Sequence, residues 1–370
     1  MRVKTSQLVP GCILIEDVIG KSNKPIVHKE TVLTEKHITV LNKFLISEVD
    51  VSHKLDNGKV FKPKQVTDHE SPLKAEVIQH EIKDTDSSSF FKEYLQAVIS
   101  YKKLFYSWHY HTPIDMPTVR KMIIPLLEQI EHLGNEVFRL HHLSTKEDYL
   151  YHHSVSVALL SAYLAHKLGY EKGEWIQVGL AGLLSDCGMA RLSPAILHKS
   201  SRLTYLEKEE MKKHPEYSYQ LVESISTITK EVKLAIVQHH ERLDGSGYPY
   251  QLTGDKIHSY ARIIAVTDTY HAMTCERRYK HAESPFKVLQ TIKQAQFASL
   301  DPAIVQQLIN SLVNVSVGLK VELSNGDIAK IIYMNEKIPE FPIVQLELTG
   351  EIVDLSQESS IYIKDLLNDQ

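Results

Sequence analysis

Two adjacent histidines, His239 and His240, end a predicted helix shortly before the turn Asp244-Gly245-Ser246-Gly247-Tyr248-Pro249. Val232 and Ile236 precede them at helical spacing, so His239 continues an apolar stripe and His240 borders it. The glycines release the backbone into a tight loop after the helix. Imidazoles in such a place suit proton transfer or metal binding, although two surface histidines at a helix end fit the pattern equally well.

Other polar residues fall on predicted helix faces that are otherwise apolar. His153 shares a face with Val157 and Leu160, and Asp268 shares one with Ile264. A buried carboxylate or imidazole costs free energy unless it has a hydrogen-bonding partner or a cation. For His153, a core histidine bonded to a carbonyl oxygen is the alternative interpretation.

Asp186 and His214 extend this pattern. Asp186 follows Gly179 and Gly182 on one face of a predicted helix, and we expect the two missing side chains to leave room beside the carboxylate. His214 precedes Pro215, which fits the first turn of a helix, so the imidazole is predicted at a helix junction. Helix capping is the alternative role for the aspartate.

Imidazole and carboxylate together are ligands for divalent ions such as iron, manganese or zinc. A carboxylate shared by two ions would make a two-metal site, with the ions ~3.5–4 Å apart. Histidines are concentrated in the same part of the chain as these candidates, since 12 of the 20 lie between His141 and His281. The sequence predicts one site to which successive helices contribute: His153, Asp186, His214, His239, His240 and Asp268.

The elements that must position these residues predict a mainly α fold class. Apolar residues recur at helical spacing through the middle of the chain, whereas short β-rich runs occupy both ends and Asn325-Gly326 is a typical hairpin turn. The amphipathic helices before residue 146 are expected to form core, with a homodimer contact as the second interpretation. The predicted order is a small α+β module at 1–65, a linker and helices at 66–145, an all-α helical bundle that binds metal at 146–315, and a small β-rich module at 316–370.

Composition excludes several classes of function. The 370 residues carry a net charge of −4, so no polybasic surface for nucleic acid or membrane is indicated. No apolar run approaches the ~20 residues that span a bilayer. Cys12, Cys187 and Cys275 are odd in number and far apart, which is typical of a reducing compartment. We therefore expect a cytoplasmic protein that binds neither a nucleic acid polymer nor a membrane.

Several segments carry a family resemblance. His239 to Pro249 reads HHERLDGSGYP, which matches an HHExxDGxGYP motif in full. Tyr151-His152-His153-Ser154-Val155 and Ala261 to Asp268, followed by Arg277 and Tyr279, supply its flanking motifs. On these segments, residues 147 to 312 resemble the HD-GYP family, the branch of the HD phosphohydrolases known for hydrolysing cyclic di-GMP.

The resemblance implies a divalent metal cofactor, iron or manganese, as one or two ions. One ion would be held by residues that are all present here: Asp186, His214, His239 and His240. A neighbouring ion would use the histidine of the family's HD pair together with three further positions: His153, Asp186 and Asp268.

The resemblance also implies a ligand and partners. The substrate would be cyclic di-GMP or a related nucleotide, and Arg277 and Lys280 are the candidates for contacts to its phosphates. Protein partners would use the Gly-Tyr-Pro loop.

This sequence departs from the family pattern at positions that bear on activity. Ser185 replaces the histidine of the HD pair, and a hydroxyl is a poor substitute for imidazole at a divalent ion. Met189 stands where the family has a lysine for a substrate phosphate, and a thioether cannot make that contact. His271 replaces an aspartate, and Tyr149 replaces the glutamate of members that bind a third metal, so we expect no third ion.

Two main hypotheses follow. The favoured one is a degenerate HD-GYP-type protein with weak or no turnover and a nucleotide-signalling or regulatory binding role, because Ser185 and Met189 remove a metal ligand and a phosphate contact together. The alternative is an active metal-dependent cyclic di-GMP phosphodiesterase with a reduced metal site, whose ion would lower the pKa of bound water from ~15.7 toward ~7. Hydrolysis of another phosphate ester ranks third.

Overall fold

The protein was analysed as a computed structural model. It describes residues 1–19, 25–34, 37–38, 41, 46, 48–61, 63, 86–134, 136–278, 280–295, 299–335, 338, 341–358 and 360–367. The predicted linker falls largely on 64–85 and lies outside the described residues, as does Tyr279. Contacts divide the chain into two compact units, Met1–Glu81 and Ile82–Gln370.

The first unit contains short antiparallel strand pairs. Strand β1 pairs with β4, and β2 pairs with β3. The apolar side chains that alternate along these segments form a core that belongs to this unit, including Val3, Leu14, Val49 and Val51. The bounds are β1 Arg2–Lys4, β2 Val18–Ile19, β3 Pro25–Val27 and β4 Glu48–Asp50.

The second unit is mainly helical, which confirms the predicted fold class. Its helices are α1 Asp86–His109, α2 Met116–Glu128, α3 Tyr149–Lys167, α4 Lys172–Leu184, α5 Pro194–Leu197, α6 Tyr205–Met211, α7 His214–Val222, α8 Lys230–Gln238, α9 Ser259–Thr274, α10 Pro285–Ala295 and α11 Pro302–Ser316. Helix α3 lies at the centre and is buried on nearly every side. None of the helices in the described part of the chain is both long and apolar enough to cross a membrane.

A five-stranded antiparallel sheet follows the helices, in the order β8-β7-β6-β5-β9. The predicted Asn325-Gly326 turn joins β5 to β6, and Gly326 adopts a positive φ of 89°. Buried residues of the sheet, such as Val321 and Ile331, continue the core of the helices. The bounds are β5 Lys320–Leu323, β6 Ile328–Tyr333, β7 Ile343–Leu346, β8 Ile352–Asp354 and β9 Ile363–Leu366.

The two glycines of α4 have a different role from the one expected. A Cβ atom at Gly179 would lie 2.7 Å from Leu127 Cδ2, and one at Gly182 would lie 3.1 Å from the carbonyl oxygen of Val157. Glycine therefore lets α4 pack closely against α3 and α2. The expectation that these positions leave room beside Asp186 was wrong, because a neighbouring backbone fills that space.

Candidate metal centre

Asp186 lies in the bend that follows α4, immediately before the short 3-10 helix Cys187–Arg191. Ser218 of α7 holds this bend, since its hydroxyl donates to the carbonyl oxygen of Ser185 at 2.6 Å and accepts from the Gly188 amide at 2.8 Å. A Cβ atom at Gly188 would lie 2.3 Å from the backbone oxygen of His214. Only glycine permits this approach, and it brings Asp186 next to the first residue of α7.

Four predicted ligands converge at this bend. Asp186, His214, His239 and His240 each offer one ligand atom, and these atoms lie within 4.8 Å of one another. His214 Nε2 lies 3.1 Å from Asp186 Oδ1, and His239 Nε2 lies 3.6 Å from the same oxygen. The two Nε2 atoms are 3.3 Å apart. Asp186, His214 and His239 are buried, whereas His240 keeps 15% of its side chain exposed.

Hydrogen bonds to backbone carbonyl oxygens decide that Nδ1 of both imidazoles carries a hydrogen. His214 Nδ1 lies 2.7 Å from the carbonyl oxygen of Met211, and His239 Nδ1 lies 2.7 Å from that of Ile236. A carbonyl oxygen can only accept, so each Nδ1 carries a hydrogen, and in the neutral form of each ring Nε2 keeps a lone pair directed toward Asp186. Asp186 Oδ1 accepts no hydrogen bond from a described residue.

When both rings are neutral, three electron-rich atoms face one another in a buried place, which is unfavourable unless a proton or a metal ion lies between them. Three imidazoles and one carboxylate form a donor set that suits a divalent transition metal. The residues present fit such an ion.

A second group shares Asp186 with the first. His153, Asp186 and Asp268 also have ligand atoms within 4.8 Å of one another. His153 Nε2 lies 2.9 Å from Asp268 Oδ1 and 3.6 Å from Asp186 Oδ2. The two oxygens of Asp186 thus face different groups, as a carboxylate that bridges two ions does.

The surroundings of the site lower the pKa of both carboxyls and of His240. Burial by itself raises the pKa of Asp186, but the neighbouring His214 and His239 lower it well below its ordinary value. Likewise, His153 and His240 outweigh burial at Asp268 and lower the pKa of that carboxyl. Burial and the nearby His239 lower the pKa of His240 well below its usual value. Both carboxylates are therefore charged and His240 is neutral at pH 7, the states in which they bind a cation.

The loop after His240 forms one wall of the site. Tyr248 stacks on the His240 ring at 4.7 Å between centroids. The buried carboxylate of Glu241 accepts hydrogen bonds from the amides of Tyr250 and Leu252 at 2.7 and 2.9 Å. Backbone and side chain together hold this loop in one conformation.

A cavity of about 460 Å³ opens beside both groups, a size usual for small-molecule sites. Arg277 and Met189 line it, and the Arg277 guanidinium lies 5.7 Å from the centre of the Tyr149 ring. Lys280, the second predicted phosphate contact, is not among the described residues of the lining and lies 3.3 Å from Glu283 instead.

Sequence reasoning did not assign several residues of this cavity. Tyr106 and Tyr110, at the end of α1 and just after it, line the cavity and keep 47% and 77% of their surface exposed. The helix had been interpreted from its apolar stripe as core, and Tyr106 lies beside that stripe rather than on it. Arg278 also lines the cavity, where it donates to the carbonyl oxygen of His198 at 2.9 Å.

Comparison with known proteins gives a consistent result. A profile of the HD domain family matches residues 139–304. The chain is 30% identical over 228 residues to the cyclic di-GMP phosphodiesterase PdeB of Borreliella burgdorferi, which covers 60% of this chain and 59% of that protein. It is 31% identical over 170 residues to the 3'3'-cGAMP-specific phosphodiesterase 3 of Vibrio cholerae, covering 46% of this chain and 37% of that protein.

Residues 139–304 match the HD domain family, and the chain is similar to cyclic dinucleotide phosphodiesterases. It spans 59% and 37% of the length of these two curated relatives. An HDG"Y"P protein from Bdellovibrio bacteriovorus has a similar fold, with a TM-score of 0.51 at 13% identity over 83% of this chain and 97% of that one.

Three departures from the HD-GYP pattern lie in or beside the site. The Ser185 hydroxyl donates to the carbonyl oxygen of Gly182 at 2.9 Å, so it is engaged within its own helix. His271 Nδ1 lies 3.0 Å from His153 Nδ1, and the Tyr149 hydroxyl lies 3.2 Å from the same atom. An imidazole and a phenol therefore lie behind His153, at positions where the resemblance implies an aspartate and, in members that bind a third metal, a glutamate.

Proposed function

We propose that this protein is a degenerate HD-GYP-type protein that holds a divalent metal ion and binds a cyclic dinucleotide, with weak or no turnover and a regulatory role in nucleotide signalling. The observation that carries the proposal is the arrangement of His214, His239 and Asp186. Their lone pairs face one another in a buried place, and an ion is the group that would stabilise them there. Iron or manganese is the proposed ion, by resemblance to the family.

The composition of the second group supports weak turnover. Within the described residues, the second ion would have His153, Asp186 and Asp268 as ligands, because Ser185 supplies a hydroxyl that is already bonded to Gly182. Loss of an outer partner alone commonly weakens metal binding ~10–100-fold, and loss of a direct ligand should weaken it no less. Occupancy of this group is therefore expected to be low at ordinary metal concentrations.

The cavity wall supports a ligand with negative charge and aromatic rings. Arg277 can pair with a phosphate in a bidentate manner, while Tyr106 and Tyr110 offer exposed rings on which bases can stack. Met189 contributes an apolar surface at the position where a cation would contact a second phosphate. These groups suit cyclic di-GMP, or the related 3'3'-cGAMP on which one relative acts.

A bound ion would supply positive charge beside a phosphate oxygen and so favour hydrolysis. The chain's own residues would orient the ligand: Arg277 would hold a phosphate, and Tyr248, stacked on His240, would keep that imidazole in place. His240 and Asp268 are proposed to hold metal rather than to transfer protons.

An active phosphodiesterase is the second candidate. The division of the Asp186 oxygens between two groups favours it, because that arrangement serves two ions. Asp268 also approaches both groups, with Oδ2 3.9 Å from His240 Nδ1.

One experiment separates these candidates. Purified protein is analysed for metal, then loaded with iron or manganese and assayed for binding and hydrolysis of cyclic di-GMP and 3'3'-cGAMP. His239→Ala serves as the metal-deficient variant, and Ser185→His with Met189→Lys restores the family residues. The proposal expects binding without appreciable hydrolysis by the wild type, and faster hydrolysis by the double variant.

Hydrolysis by the wild type at a rate typical of enzymes, abolished in His239→Ala, would establish the second candidate. Metal-loaded protein that binds neither nucleotide would refute both. If the double variant binds a second ion but gains no activity, the two substitutions do not explain the weak turnover.

A further inference from the structure

A second cluster of side chains that could bind a metal ion shares no residue with the candidate metal centre. His141 and His142 end the 3-10 helix Glu136–Leu143, and Asp365 lies in strand β9. Each offers one ligand atom, and the three atoms lie within 4.8 Å of one another. His142 Nε2 is 3.6 Å from Asp365 Oδ1. Two imidazoles and a carboxylate that are distant in sequence thus meet at one place.

The surroundings orient two of these groups for a cation. His141 Nδ1 lies 2.8 Å from the carbonyl oxygen of Phe138, so Nδ1 carries the hydrogen and the Nε2 lone pair is left for a ligand. Asp365 Oδ1 accepts a hydrogen bond from the Leu366 amide at 2.9 Å, which fixes the carboxylate. Backing hydrogen bonds of this kind hold metal ligands in position.

Access and chemistry indicate the kind of ion. The side chains of His142 and Asp365 keep 31% and 41% of their surface exposed, so an ion can enter from solvent. Neutral imidazole and carboxylate are ligands of zinc, which accepts three protein ligands and completes its shell with water. Zinc has no geometric preference imposed by d electrons, so the tilted approach of the His141 and His142 rings, at 4.1 Å between centroids, does not exclude it.

We propose that His141, His142 and Asp365 bind a zinc ion that fastens the C-terminal sheet to the helical part of the same unit. The ion joins an early segment of the domain to its last strand, so it stabilises the attachment of β9. This inference does not depend on the proposed nucleotide function, because it uses none of the residues of that site.

The test uses the 370-residue chain without an affinity tag that binds metal. All proteins carry His239→Ala to weaken the first site, and they are stripped with a chelator before titration. Zinc affinity is measured by competition with a coloured chelator, and thermal unfolding is followed with and without zinc. The variants are His142→Gln and Asp365→Asn, and the matched control is His132→Gln, an exposed histidine earlier in the chain.

The proposal expects about one zinc ion per chain in the background protein and in the control. Both variants should bind zinc at least about tenfold more weakly and lose the zinc-dependent rise in Tm. Asp365→Asn keeps the shape of the side chain, so it tests the site even if His142→Gln folds poorly. Equal zinc affinity in the control and in a folded Asp365→Asn variant would overturn the proposal.

Discussion

Asp186 combines two roles in one side chain. One carboxylate oxygen faces His214 and His239, and the other faces His153. Replacing Asp186 with a residue that lacks a carboxylate would therefore remove a ligand from both clusters at once.

Asp186→Asn is expected to remove metal from both groups. The amide carries no negative charge to place between the imidazoles. Loss of a hydrogen-bonding partner behind a ligand weakens metal binding by about 10–100-fold, so loss of the ligand itself should lower the affinity for manganese by at least about 100-fold. Metal content after dialysis measures this. The exposed Asp255→Asn is the control and should keep the wild-type content. Equal metal in both variants would contradict the assignment of Asp186.

His271→Asp should strengthen the second group. A carboxylate behind His153 would hold its Nδ1 hydrogen and make Nε2 a stronger donor, which is worth about 10–100-fold in metal affinity. The comparison is His271→Asn, which has a similar shape but no charge. Calorimetric titration with manganese would detect the second binding event, and identical curves for the two variants would exclude this role for the charge.

The convergence of the candidate metal ligands could be predicted from sequence mainly because most of them are polar residues on otherwise apolar faces. His153 and Asp268 are examples, since only a partner or a cation makes such burial favourable. The rings of Tyr106 and Tyr110 could not be assigned in the same way. An exposed tyrosine has no unusual cost, so its place beside the cavity depends on how α1 packs against distant helices.

At the level of elements, the contact between the bend after α4 and the start of α7 positions Asp186 against His214. The sequence predicts both helices, α7 from Pro215 in its first turn, but not that their ends approach this closely. Gly188 permits this approach because it has no side chain. Its importance can be recognised only once the backbone of α7 is known to lie beside it.

Gly188→Ala is expected to destabilise the fold by about 3 kcal/mol or more, because its Cβ would lie 2.2 Å from the Ser218 backbone nitrogen. Metal affinity should fall together with stability, since His214 moves with the same backbone. Urea unfolding and metal titration measure the two effects. Gly173→Ala is the matched control, because nothing lies within 4 Å of its Cβ and the change should be neutral or stabilising by at most about 1 kcal/mol. Similar stability of both variants would contradict this account.

At the scale of the whole molecule, buried ionisable groups should make the metal-free protein sensitive to acid. Burial lowers the pKa of His152 to about 4, and it lowers the pKa of His271 well below its usual value. In the unfolded chain such histidines take up protons near pH 6.5. Stability should therefore fall as the pH drops below about 6.5, because the unfolded state binds more protons.

The carboxyls act at lower pH. The pKa values of Asp186 and Asp268 are lowered in the folded state, so their stabilising contribution is present above about pH 4 and is lost as the pH falls further. We expect the free energy of unfolding in chelator to decrease by at least about 2 kcal/mol between pH 7.5 and pH 5, mainly through the histidines. Urea denaturation at several pH values measures this, and His152→Asn should give a shallower slope. Constant stability over this range would refute the prediction.

The hydrogen bonds by which Glu241 holds the loop after His240 have a consequence for the binding of other proteins. Its carboxylate holds the amides of Tyr250 and Leu252, so the outward face, where Tyr250 keeps 54% of its surface exposed, has a preset shape. A protein that docks there meets a rigid template, and little chain entropy is lost on complex formation. If a partner binds there, such a surface would discriminate by fit rather than by adapting its shape.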